Sequence, residues 1–130
     1  MSEFTEQIPD EVTIGLDAFN RREFFAAHEY FEDAWRKTPG DSREFYRALL
    51  QLSGGFFRLT QARPAAALKF FSHTLKWMAF FPSPYRGFIT DELIDYLQKI
   101  SEAIIQETPC DVILRDHFEP IRLILNMRAS

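Results

Sequence analysis

SREFYRALLQLSGGFFRLTQA, residues 42–62, is the stretch on which the fold turns. At about 100° per residue, Phe45, Leu49, Leu52, Phe56 and Leu59 fall on one side of a helix, and Leu50 and Phe57 carry the apolar arc round to a second side. So wide an arc predicts a central helix enclosed by others. Asp41 or Ser42 caps its start, Glu44 suits the positive end of its dipole, and Gly54-Gly55 lets a neighbouring helix approach its backbone closely.

Working outward, Thr38-Pro39-Gly40 ends a preceding helix over residues 22–37, because proline disfavours the helical state of the residue before it. A first helix over residues 10–20 opens at Pro9-Asp10-Glu11 and turns Val12, Leu16 and Phe19 inward. On the other side, Pro64 starts a fourth helix with Leu68, Phe71, Leu75 and Met78 on one face and Phe70, Trp77 and Phe81 on another. That pattern predicts a helix mostly enclosed, like the third. The breaker-dense segment Pro82-Ser83-Pro84-Tyr85-Arg86-Gly87 is a loop, and a fifth helix repeats Leu93, Leu97, Ile100 and Ile104 from Thr90-Asp91-Glu92 to Thr108-Pro109. Behind Pro120, Ile121, Leu123 and Leu125 alternate, so the tail, 109–130, reads either as an extended strap across the bundle or as a short helix. The expectation is an all-α fold: residues 1–130 as one domain, a single compact bundle of about five helices, with antiparallel neighbours across short connections.

Composition narrows the function. With 130 residues, 46% hydrophobic, 26% charged and 14 Phe, the chain can fill a core without disulfides or structural metal. Cys110 is the lone cysteine, which points to a reducing compartment, the cytoplasm. A formal net charge of −4 disfavours nucleic acid. No run approaches the roughly 18 apolar residues of a membrane helix, and the acidic start MSEFTEQIPDE does not read as a secretory signal. Phosphate loops, dinucleotide fingerprints and the G-x-S-x-G elbow do not occur, and none of His28, His73 or His117 has the Glu three residues earlier that a di-iron bundle needs.

Candidate chemistry is concentrated in Ala27-His28-Glu29-Tyr30-Phe31-Glu32 of the second helix. His28 lies in the stripe of Phe24, Phe31 and Trp35, with Glu32 one turn on at its edge and Glu29 further toward solvent. His28 and Glu32, at i and i+4, can converge on one divalent metal, with Glu29 as general base and Gln51 of the central helix as an orienting group. One imidazole with carboxylates suits manganese or iron better than zinc. The competing reading makes His28, Glu32 and Gln51 a buried packing network without catalysis, in a protein that meets a partner or a second copy through Phe80, Phe81 and Tyr85. The basic set Arg43, Arg47, Arg58, Arg63, Lys69 and Lys76 spans two neighbouring helices and could form a local anion-binding patch, while His73 reads as solvated and Trp35 and Trp77 as core rings. The ligand is thus an unknown small-molecule substrate or a protein partner.

Phe19-Asn20, Phe25, A-H-E-x-x-E-x-x-W from Ala27 to Trp35, and F-Y-x-x-L-L-Q from Phe45 to Gln51 together resemble the family called domain of unknown function 309, over about residues 16–78. The resemblance implies a small all-helical bundle, found in bacteria and photosynthetic lineages, sometimes given the label of metal-dependent hydrolase without an established substrate. Its pattern carries over to His28, Glu29, Glu32, Trp35 and Gln51. Members commonly show a His-containing pair after the central apolar run and a G-N-x-x-G-A turn. This chain has Phe57-Arg58 and Gln61-Ala62-Arg63-Pro64-Ala65-Ala66 there, which removes one extra metal ligand.

Overall fold

Six helices follow one another in the computed structural model, which describes residues 8–128: α1 (Asp10–Asn20), α2 (Phe24–Lys37), α3 (Ser42–Thr60), α4 (Pro64–Met78), α5 (Thr90–Ile105) and α6 (Cys110–Asn126). The acidic start at residues 1–7 and the last two positions of the expected tail, 129–130, lie outside the described residues. No strand forms among the described residues, and no helix is long and apolar enough to cross a membrane.

The wide apolar arc of α3 has the predicted consequence. It buries residues on several sides, from Phe45 and Tyr46 through Leu49, Leu50 and Leu52 to Phe56 and Leu59, and is packed between α2 and α4. Glycine sets the spacing: a Cβ at Gly54 would stand 2.8 Å from the Phe70 ring and one at Gly55 2.3 Å from the Phe71 ring, so α4 sits closer than any side chain would allow. The two helices are antiparallel, since Gly54 meets Phe70 while Arg47, two turns earlier on α3, lies over Trp77, two turns later on α4. At the far side, Phe19 of α1, Phe24 of α2, Phe56 of α3 and Phe118 of α6 form one ring cluster, with Phe19 centroids 5.1, 5.3 and 5.7 Å from the other three.

Three helices end in the same hydrogen-bonded turn without glycine. Arg22, Ala62 and Glu107 take φ values of 62°, 57° and 64°, and the next residue donates back to Ala18, Arg58 and Ala103 respectively. This closure satisfies carbonyls that the last helical turn would otherwise leave bare.

Two expectations are corrected. The tail is neither a strap nor a short helix but the 17-residue α6, which raises the helix count from about five to six. Ile121 and Leu125 are buried one turn apart while Leu123 is 51% exposed, so the apparent alternation was one buried pair plus a surface leucine. Helix α4, expected to be mostly enclosed, buries only Ala67, Phe71, Thr74 and Met78. It packs on α3 and α5 and leaves Ala65, Lys69, Ser72, His73 and Lys76 exposed.

Candidate functional site

His28 stands half-buried on α2, one position past the buried Ala27. Its Nδ1 lies 3.0 Å from the carbonyl oxygen of Leu50 on α3. A carbonyl only accepts, so Nδ1 carries the proton and donates; in the tautomer that does so, Nε2 is an acceptor. His28 lines a recess of about 70 Å³ with Phe25, Gly54, Phe57, Arg58 and Phe70. The recess exists partly because Gly54 contributes no side chain between the helices.

Arg58 and Phe70 also belong to the wall of a neighbouring cleft of about 380 Å³ between α3 and α4, together with Gln51, Arg63, Ala66, Lys69 and His73. Three of these are the basic side chains Arg58, Arg63 and Lys69, and among the described residues no carboxylate lines the cleft. Arg58 is steered by donating from Nη1 to Gln61 Oε1 at 2.7 Å, and its guanidinium lies 5.8 Å from the Phe57 ring centroid and 5.9 Å from that of Phe70. Gln51 Oε1 is buried and has no hydrogen-bond partner among the described residues. A buried acceptor left unpaired costs roughly 1–3 kcal/mol, so its retention needs a reason.

Of the residues expected to serve a metal, two have other surroundings. Glu32 accepts from Arg36 Nη2 at 3.1 Å across one helical turn, and Glu29 is exposed. Among the described residues, no group of three or more His, Cys, Asp or Glu is placed to hold a metal ion. His28 has the bond a metal-ligating histidine typically makes through its other nitrogen, but a catalytic zinc-type centre takes three protein ligands. His28 and Glu32 by themselves supply two of those three. The packing network is equally incomplete, since His28 bonds Leu50 rather than Glu32, and Gln51 Oε1 joins nothing.

Residues 13–70 match the model of the family described as Domain of unknown function (DUF309). Over that stretch, 58 of the 130 residues, the chain is similar to this family. Every residue of the cleft and recess except His73 falls inside the DUF309 stretch, as do His28, Glu29, Glu32 and Gln51. No curated protein and no solved structure matches the chain.

Within this fold the basic set named from sequence divides in two. Arg58, Arg63 and Lys69 gather at the cleft, whereas Arg43 and Arg47 lie over the Trp35 ring, at 4.6 and 5.9 Å, and Lys76 lies 5.9 Å from the Trp77 centroid. His73, read from sequence as solvated, is exposed and stands at the cleft wall; what sequence reasoning missed was the joining of Gln51 to the cations. The signal was the antiparallel register about Gly54 and Phe70, which sets Gln51 and Arg58 of α3 against residues 66–73 of α4.

Proposed function

We propose that the α3–α4 cleft binds a small organic anion that also carries an O–H or N–H donor. The observation that supports this reading is the lining: Arg58, Arg63 and Lys69 converge with no carboxylate among them, in a chain whose formal charge is −4. Gln51 lines the cleft, and its buried Oε1 is an acceptor that a ligand donor would satisfy once the side chain turns outward; Nε2 of His28 is a second in the adjoining recess. Phe70 supplies an apolar wall shared by both spaces. The cytoplasm remains the proposed setting.

The test is a nuclear magnetic resonance titration of the full chain with 4-hydroxybenzoate, with phenol as the uncharged control and benzoate as the control lacking the donor. Saturable shifts are expected at Gln51, Arg58, Phe70 and His28. Phenol should bind at least about tenfold more weakly, because a charge-assisted hydrogen bond is worth roughly 1.5–3 kcal/mol. Equal affinity for phenol, or no saturable shift at the cleft, would overturn the proposal.

A metal-dependent hydrolase with His28 and Glu32 as ligands, Glu29 as base and Gln51 orienting is the competing proposal, supported by the His28–Leu50 bond. It requires manganese or zinc to raise the melting temperature of the wild type and not of Glu32→Gln; the anion reading predicts that neither protein responds. A homodimer or protein contact through Phe80, Phe81 and Tyr85 has less support: Phe80 is 72% exposed, but Phe81 and Tyr85 pack on Phe45 with centroids 5.4 and 4.9 Å away. One exposed ring is far short of the roughly 1,000 Å² a stable interface buries.

A further inference from the structure

Opposite the basic cleft, at the start of α3 and the end of α4, Trp77, Phe80, Phe81 and Tyr85 wall a second pocket of about 450 Å³, whose charged lining among the described residues is Asp41 and Glu44. We propose that this pocket binds a small organic cation, with an alkyl- or quaternary ammonium group against the rings and Asp41 beside it.

The rings are held in place before any ligand arrives. Phe81 and Tyr85 stand 4.6 Å apart and both rest on the buried Phe45. Tyr85 is fixed further by paired backbone hydrogen bonds with Phe88, at 2.9 and 2.8 Å, and by its hydroxyl 3.0 Å from Ser42 Oγ. Phe80 is different: it lies 6.0 Å from Trp77 and is 72% exposed, so core packing does not account for a large ring at that position. It closes one side of the pocket instead.

Charge selects the occupant. Asp41 precedes α3 yet makes no side-chain capping bond, so its carboxylate stays uncommitted at the pocket wall. Glu44 lies 3.4 Å from Arg47 and 4.0 Å from Arg43, and neither arginine lines the pocket. The chain's own cations already choose these rings, with Arg47 5.1 Å from the Trp77 centroid and Arg86 5.3 Å from that of Tyr85. Aromatic faces attract ammonium groups through their quadrupole, more strongly where water is excluded, and the volume lies in the range of small-ligand pockets.

Choline and its uncharged isostere 3,3-dimethyl-1-butanol form the decisive pair of probes, titrated into the full chain with shifts followed at the Trp77 indole and the Asp41, Phe80 and Tyr85 amides. Choline should saturate these shifts at least about tenfold more tightly than the isostere. Phe80→Ala and Asp41→Asn should each weaken it; both sites are exposed, so both variants fold. Shifts from 4-hydroxybenzoate at the basic cleft should be unaffected by either variant. Equal binding of the isostere would show a merely apolar pocket, shifts that follow protein concentration would show self-association, and no saturable shift would show no site. Each of these would overturn the proposal.

Discussion

The two ends of the α3–α4 pair have opposite character. At the end near their short connection, Gly54 and Gly55 bring the helices together over Phe70 and Phe71, and Arg58, Arg63 and Lys69 collect around a carboxylate-free cleft. At the other end large rings from the last turn of α4 and the loop after it wall the pocket, which Asp41 and Glu44 also line. The net charge of −4 describes neither end. Local charge follows from which side chains an antiparallel register sets opposite each other, and local shape from whether glycine or an aromatic ring lies between the helices.

The two ends should respond differently to substitution. Phe45→Ala has the largest expected effect, a loss of about 3–5 kcal/mol in urea unfolding, because Phe45 is fully buried beneath Phe81, Tyr85 and Phe88. At low temperature this variant should lose choline binding and keep 4-hydroxybenzoate binding; loss of both would show that the ends are coupled. Gly55→Ala should cost about 2 kcal/mol, since overpacking against the buried Phe71 outweighs the roughly 1 kcal/mol helix gain of alanine. Gly54→Ala should cost less, because the half-buried Phe70 can swing away, but it should narrow the recess and weaken 4-hydroxybenzoate. Ala62→Gly, in the connection, should gain up to about 1 kcal/mol by relieving a left-handed backbone at φ 57°. Phe80→Ala should change stability by less than about 0.5 kcal/mol, as an exposed ring would, while acting on choline alone.

Legibility in the sequence follows the same physics. The central position of α3 and the close approach at Gly54-Gly55 were readable because wide apolar arcs and paired glycines act through neighbours at fixed helical spacing. Helix α6 was misread because Pro120 sits inside it and Leu123 is exposed, so hydrophobicity alone imitated a strand period; Ile113, Ile121 and Leu125, at multiples of four, carried the true signal. The enclosure of α4 was overestimated because Leu68, Phe70, Leu75 and Trp77 pack from the edge and stay half-exposed. At the site, the residue types at His28 and Gln51 were visible, but their partners were not. The His28 bond goes to a backbone carbonyl, which no side-chain pattern records, and the gathering of Arg58, Arg63 and Lys69 depends on the register between two helices.

Urea unfolding of wild type and Gln51→Leu, each without and with millimolar 4-hydroxybenzoate, addresses the anion cleft most directly. An oxygen kept unpaired for a ligand burdens the empty protein, so Gln51→Leu should be as stable as wild type or up to about 2 kcal/mol more stable when no ligand is present. Adding 4-hydroxybenzoate should then stabilise the wild type and not the variant, as linkage requires when only one of them binds. Loss of stability in Gln51→Leu with or without the anion, together with a wild type indifferent to it, would contradict the assignment and leave Gln51 as a packing residue.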